Sequence, residues 1–476
     1  MSLSSKNKLI LKKIPIPATM IAMTLTQRRL LFYFFILLFL AIVPVVLLYA
    51  TGRTVNWRRW ELQKTASINI KSEPSGAEIF LNGQRPSTLL HQLFGQKTPA
   101  HSPAKISDLT PGEYSLRLEA DGYFPWEEKI TIHAGEVFNA ESIRLFRNEK
   151  PTLLKKLDPN TSNFPSPDGQ TIISLASKKL TIFSVQKKQN IDVVIPENLT
   201  DSKILWSKDK DLFLYANRLL ISNNGEILFD FKNAKRPASE LLRWDRNTNN
   251  RLYGLSSQGL FRFDLSSKTF EEIQEAKGLL HKIQIKDFEV EGRQIYILVT
   301  APNNELIAFS SNDPQRFQTT QLPNGDYTFL RADNPEPLIY EPRSRNLYVI
   351  EQPLPLISPY RVTRIANDFS LGHWEDNKLM YATPFELRLQ EGNAEARFIS
   401  RLGENVIDTI LLPKSPYALY ATSTSLTAIP LSGFPANPAT KLLNAENIQK
   451  ILAASEHEVL YIAGTNASYG LFSLPS

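Results

Sequence analysis

The chain has 476 residues, 42% hydrophobic and 21% charged, the balance of a globular protein of about two to four domains rather than of a disordered one. Six bases and no acid precede residue 30, so the other 48 bases balance the 48 acids, and a neutral body argues against a nucleic-acid binder. Cysteine is absent, which excludes disulfides, iron–sulfur clusters, thiolate zinc sites and cysteine nucleophiles together.

Residues 1–29 read as a basic tail carrying Lys6, Lys8, Lys12, Lys13, Arg28 and Arg29. Leu30 to Gly52 then runs without a charge. About 20 helical residues already cross a hydrocarbon core of roughly 30 Å. A signal peptide also places bases before an apolar core, but that core is normally about 7–15 residues long and ends in a small-x-small site. Here the run is longer and Leu48 stands before Ala50, so it predicts one uncleaved transmembrane helix over 30–52, bent at Pro44. The bases on its N-terminal side outnumber Arg53, Arg58, Arg59 and Lys64 beyond it. This places the N-terminus inside the cell membrane and the bulk outside. Tyr49, Trp57 and Trp60 suit the outer interface, and 53–66 reads as a juxtamembrane linker.

After the linker the period becomes two. Ile68 and Ile70, then Tyr114, Leu116 and Leu118, then Ile130 and Ile132 alternate with polar residues, as half-buried antiparallel strands do. Turn signals separate them: Pro74-Ser75-Gly76, Asn82-Gly83, Pro111-Gly112 and Asp121-Gly122. The string Ser72 to Gly83, with Ser102-Pro103-Ala104-Lys105-Ile106, Leu109 to Tyr114 and Asp121-Gly122-Tyr123 behind it, resembles a PEGA domain over 67–147. Two departures are an insertion at 84–101, with Leu89, Leu90, Leu93 and Phe94, and Ser102 where the family has Thr. The resemblance implies a small β-sandwich of bacterial surface proteins without catalytic residues. The inserted apolar cluster reads as a cap over a sheet edge or as a partner contact.

From 151 to 476 the chain repeats. Turn-start anchors fall at Phe164, Trp206, Trp244, Phe288, Ala332, Trp374, Leu412 and Ala453, spaced by 42, 38, 44, 44, 42, 38 and 41 residues. Seven to nine residues after each anchor but the first stands a Tyr behind an apolar residue, from Leu214-Tyr215 to Leu460-Tyr461; the first repeat has Ile172-Ile173. Another short strand follows each pair. Such a period in short strands is that of a β-propeller blade, seven or eight in number. The last repeat ends short of an outer strand, and Thr152 to Leu157 lies at the outer-strand offset, so the N-terminal strand is expected to complete the last blade. Phe164-Pro165-Ser166-Pro167-Asp168-Gly169 resembles the turn of Tol-system-type periplasmic propellers, with degenerate copies at Trp206 and Trp374. The recurrent Trp and Tyr read as packing between blades rather than as a sugar-stacking surface.

No chemical motif completes itself. His91, His101, His133, His281, His373 and His457 form no pair at metal-ligand spacing, so no metal or cofactor is expected. Gly254-Leu255-Ser256-Ser257 opens like a nucleophile elbow, but Gln258 replaces its second Gly. Asp245, Asn247 and Asn249 have calcium-loop spacing without the Gly and closing Glu, and read as a turn. The fold expected is therefore an all-β ectodomain, a small β-sandwich plus a seven- or eight-bladed β-propeller, behind one N-terminal transmembrane helix. The function expected is a non-enzymatic, membrane-anchored envelope protein whose propeller binds another envelope protein or a cell-wall polymer, with the sandwich as a spacer. No catalytic residue and no ligand-binding residue is assigned. The alternative is an anchored hydrolase of wall glycan or peptide, with Asp245, Asp333 or Asp376 reaching into the propeller channel.

Overall fold

The computed structural model describes residues 25–475 apart from 51–52, 57–60, 87–99, 177–178, 197–198, 200–202, 234–240, 257–258, 274–282, 302, 332–335, 352–359, 376, 393, 432–437, 456–457 and 466–467. The chain divides into two compact units, one made of 1–68, 105–112 and 131–138 and the other of the remainder.

In the first unit a helix spans Leu25–Ala50, 26 residues that include Pro44. It begins before the uncharged run because Arg28 and Arg29 are good helix formers and extend its first turns. By length and composition it is apolar enough to cross a membrane. Trp57 and Trp60 lie outside the described residues. The segment expected as a linker is instead paired, Arg53–Asn56 against Glu61–Lys64 in antiparallel register.

The period-two segments form two three-stranded sheets, one ordering Glu78–Leu81, Gly112–Glu119 and Trp126–Ile132, the other Ala104–Leu109, Ala66–Glu73 and Val137–Arg144. Ile68, Ile70, Leu116, Leu118, Ile130 and Ile132 are buried on the face that alternation assigned them, while Tyr114 is half-buried. Asn82 and Gly83 hold positive φ of 48° and 75° and close a tight turn between Leu81 and Gln84. Leu89, Leu90, Leu93 and Phe94 of the insertion lie outside the described residues.

Beyond residue 151 the described residues form eight four-stranded antiparallel sheets, an arrangement that fits a propeller. In chain order they span 162–194, 204–230, 241–272, 284–321, 328–366, 371–401, 408–444 and 450–475. The last borrows its fourth strand: Thr152–Lys156 pairs antiparallel with Gly470–Pro475. The offset of Thr152 to Leu157 in the sequence anticipates this, since a sheet of three strands would leave an open edge.

Each pair of neighbouring sheets shares an apolar cluster, and the apolar-Tyr pairs explain how. Leu252 packs toward the second sheet and Tyr253 toward the fourth; Ile295 packs toward the third and Tyr296 toward the fifth. Alternate residues of a strand point to opposite faces, so a strand sandwiched between two sheets must be apolar at consecutive positions. The same holds where the last sheet meets the first: Leu460 and Leu471 pack with Ile172 and Phe183. Gln170 also donates its Nε2–H to the Ala454 carbonyl at 3.0 Å. The aromatic residues are thus core, and Trp244 and Trp374 are buried with them.

Among the described residues the anchors lie in or at the end of first strands, and in the first two sheets a serine just behind the anchor closes the turn that follows. The Thr171 N–H donates to Ser166 Oγ at 2.9 Å and the Ser166 N–H to the Thr171 carbonyl at 2.7 Å, with Gly169 at φ +68°. The degenerate copy closes in the same way: the Leu212 N–H donates to Ser207 Oγ, and Lys210 takes the positive φ of 60°. Serine at that position satisfies the backbone locally, which is why the motif survives when its Pro and Gly do not.

Candidate functional site

First strands of several neighbouring sheets touch, as Leu241–Trp244 touches Gln284–Glu291 and Gln284–Glu291 touches Thr328–Leu330, the place of the axial strands in a propeller. On the fourth sheet's first strand Phe288 and Val290 enter the apolar cluster, while Asp287 and Glu289 point to the opposite face. Arg243 Nη2 donates to Asp287 Oδ1 at 2.6 Å and its Nε to the same oxygen at 3.1 Å, with both side chains about one-tenth exposed. Arg331 Nε lies 3.3 Å from Glu289 Oε2, and its Nη2 lies 3.6 Å from Asp287 Oδ1. Burial holds the Arg243 guanidinium below its usual pKa, with the Arg331 charge second, and burial raises that of Glu289. Two arginines and two carboxylates from three successive sheets thus neutralise one another. Paired in this way, the carboxylates accept hydrogen bonds from fixed guanidinium groups and act as sheet-to-sheet ties.

Asp245 is fully buried at the end of the third sheet's first strand, and Oδ1 accepts the N–H groups of Asn247 at 3.0 Å and Gly292 at 2.7 Å. Burial raises its pKa against those donors. It ties the third sheet to the fourth. Asn247 Nδ2 lies by Gly292, whereas Asn249 Oδ1 accepts from the Asp209 N–H of the second sheet at 2.9 Å. The three residues with calcium-loop spacing therefore do not converge. Asp333 and Asp376 lie outside the described residues, as do His91, His281 and His457. His101 Nδ1 is 3.1 Å from the Gly76 carbonyl, His373 Nδ1 accepts from the Leu411 N–H at 3.1 Å, and His133 is exposed on a turn. Among the described residues no group of three His, Asp or Glu could hold a metal ion. Gly254 lies inside a strand, paired with Phe261, and not at an elbow.

Among the described residues a groove of about 1130 Å³ lies between the fifth and sixth sheets. Arg361–Ala366 contributes one wall and Glu386–Glu391 the other. On the latter strand Leu387 and Leu389 pack toward the seventh sheet, so Glu386, Arg388 and Gln390 line the groove. Glu386 accepts from Arg388 Nη2 at 2.8 Å and from Arg401 Nη2 at 2.9 Å. The bond from Arg388, then that from Arg401, holds the Glu386 carboxyl below its usual range. Burial raises the Tyr381 hydroxyl on the groove floor. No motif in the sequence marks the residues of either cluster. A signal was present in the alternating Glu-Leu-Arg-Leu-Gln-Glu of 386–391, where a strand covered on both faces should be apolar throughout.

The chain thus joins one apolar helix, a small β-module and an array of propeller sheets. Residues 65–145 match the PEGA domain family. No curated protein matches the chain. Solved structures to which it is similar include a eukaryotic initiation factor, with 12% identity, 67% of this chain and 87% of that one covered, and a TM-score of 0.46. Dipeptidyl peptidase 4 of Porphyromonas gingivalis shares 10% identity over 69% of this chain and 61% of its own, with a TM-score of 0.45. The β-propeller domain of Cps50 (Swd1) from Myceliophteria thermophila shares 11% over 57% of this chain and 96% of its own, with a TM-score of 0.38. None of these likenesses bears on activity.

Proposed function

We propose that the chain is a membrane-anchored, extracytoplasmic binding or scaffold protein of the cell envelope, with an eight-bladed propeller as its interaction platform. The observation that carries this reading is the combination of a PEGA module at 65–145 with propeller sheets behind an apolar helix of 26 residues. Eight apolar clusters among the described residues, one of them joining the eighth sheet to the first, support eight blades in one ring. The axial carboxylates favour binding over hydrolysis: Asp287 and Glu289 are arginine-bonded, and Asp245 accepts turn N–H groups. The helix with its basic N-terminal flank supports an inside N-terminus. The partner is an envelope protein or a cell-wall polymer.

The test uses the full chain, tagged at its C-terminus, in intact spheroplasts treated with a membrane-impermeant crosslinker. The expected result is crosslinking of the body from outside, together with an envelope protein or wall fragment. A body that reacts only after lysis overturns the topology, and a body that reacts alone overturns the scaffold role.

A further inference from the structure

We propose that the groove between the fifth and sixth sheets binds a neutral oligosaccharide. This rests on the binding reading above and names the site and the chemical class of ligand.

The first observation is a strand face that is polar at three successive positions, where the third strands of the fourth and fifth sheets are apolar. Third strands are covered by a sheet on each side. In the fourth sheet Leu306 and Ala308 serve one neighbour while Ile307 and Phe309 serve the other; in the fifth, Leu347 and Val349 face the sixth sheet. The sixth sheet instead presents Glu386, Arg388 and Gln390 to the fifth. Packed apolar contact ends there at Tyr381 and Ala366, and the groove opens beyond them. A polar face between two sheets sacrifices burial, a cost expected where a sequence serves a site rather than stability.

The second observation is independent of the first. Gln390 is 3% exposed, and its Oε1 has no hydrogen-bond partner among the described residues. Its amide nitrogen is fully occupied, donating to the Gly392 carbonyl at 3.0 Å and to the Ala394 carbonyl. Those two bonds fix the amide so that the oxygen is left as the acceptor. A buried acceptor without a donor is unfavourable until a ligand supplies an O–H or N–H.

The charges select the ligand. Three arginines, Arg364, Arg388 and Arg401, and three acids, Asp368, Glu386 and Glu395, line the groove and cancel. Each wall carries both signs, Arg364 with Asp368 on one and Arg388 and Arg401 with Glu386 and Glu395 on the other, so neither offers a net charge to draw in a charged ligand. A neutral polyol meets planar acceptors and donors in pairs, with hydroxyls giving to Gln390 Oε1 and Glu386 and receiving from the guanidinium groups. Phe385, 57% exposed at the rim, offers a ring face to the C–H side of a sugar. The volume slightly exceeds the usual small-ligand range of about 300–1,000 Å³, which suits a chain of several pyranose rings.

The test is calorimetry on the purified full chain in a detergent without a sugar headgroup, titrated with chitohexaose, cellohexaose and maltohexaose, and with hexagalacturonate as the anionic comparison. At least one neutral hexasaccharide should bind. Gln390→Leu, which keeps the shape and removes the orphan acceptor, should weaken it at least tenfold, and Phe385→Ala, a surface change, several-fold. Thermal melting of both variants checks that they fold. The proposal is overturned if no neutral hexasaccharide binds at millimolar concentration, if hexagalacturonate binds better, or if both folded variants bind as the unmodified chain does. Should Gln390→Leu still capture its envelope partner in the spheroplast experiment while no sugar binds, the groove assignment alone falls.

Discussion

Tyr417, on the second strand of the seventh sheet, accepts a hydrogen bond at 3.2 Å from the backbone N–H of Arg144, 273 residues earlier. Its ring also meets that of Phe146 edge-on, 5.4 Å between centroids at 77°. Phe146 belongs to the same buried cluster as Leu419, Leu426 and Val459. The segment 144–146 is therefore built into the core between the last two sheets.

Replacing Tyr417 by Phe should cost about 1–2 kcal/mol, because a buried hydrogen bond to the backbone is lost. Tyr417→Ala should cost about 3–5 kcal/mol through the cavity it leaves. Burial pushes the Tyr417 pKa up to about 12. The unfolded chain loses this proton near pH ~10 while the folded chain keeps it. The tyrosine's stabilisation is thus full below about pH 10 and lost as pH rises toward about 12, at about 1.4 kcal/mol per pH unit. Urea unfolding at a series of alkaline pH values across that window should show a shallower decline in Tyr417→Phe than in the unmodified chain. Parallel curves would contradict the assignment.

Arg243 and Asp287 are 44 residues apart in sequence and joined by two hydrogen bonds. Asp287→Ala should destabilise by about 3–5 kcal/mol, since it strands a buried guanidinium. The double variant Arg243→Met with Asp287→Leu should recover most of the loss, because neither charge is then buried. Denaturation midpoints of the single and double variants decide the matter; a double variant as unstable as the single one would mean the pair does more than tie sheets.

Gly254 makes room for a ring. A Cβ there would overlap Cζ of Phe261 on the adjoining strand and stand 2.6 Å from its Cε1. Gly254→Ala should cost about 1–3 kcal/mol or more by overpacking. Combining it with Phe261→Leu should cost at least about 1 kcal/mol less than the sum of the two single changes, the coupling expected of residues in contact. Additive losses in a thermal-melt cycle would exclude the clash.

Gly470 tests ring closure. Its Cβ would meet Leu153 Cδ1 at 2.6 Å and the Lys155 carbonyl oxygen at 2.8 Å, both on the strand that completes the eighth sheet. Because the carbonyl belongs to backbone, relief requires the closing strand to shift. Gly470→Ala should therefore lower the melting temperature and speed proteolysis at 147–160, and deletion of 152–156 should lower it further. A variant as stable as the unmodified chain would show that the closing strand contributes little.

Whatever depends on local chemistry was legible in the sequence. The uncharged run, the period-two strands, the spacing of the anchors and the offset of the closing strand all follow from pleat geometry, turn chemistry and the need to cover sheet edges. The apolar-Tyr pairs belong with them, since a strand flanked by sheets must bury both faces wherever those sheets lie. The ties between sheets were not legible. Asp287 finds Arg243 and Glu289 finds Arg331 only after intervening turns fix which sheet stands beside which. Nothing in the spacing of Asp245, Asn247 and Asn249 reveals that Asn249 turns away to Asp209.

The groove is the clearest case. The alternation in 386–391 is visible in one dimension, but its meaning depends on the fifth sheet standing opposite the polar face. Side-chain partners across a ring are set by the register and closure of whole sheets, and that information exists only once the tertiary structure has formed.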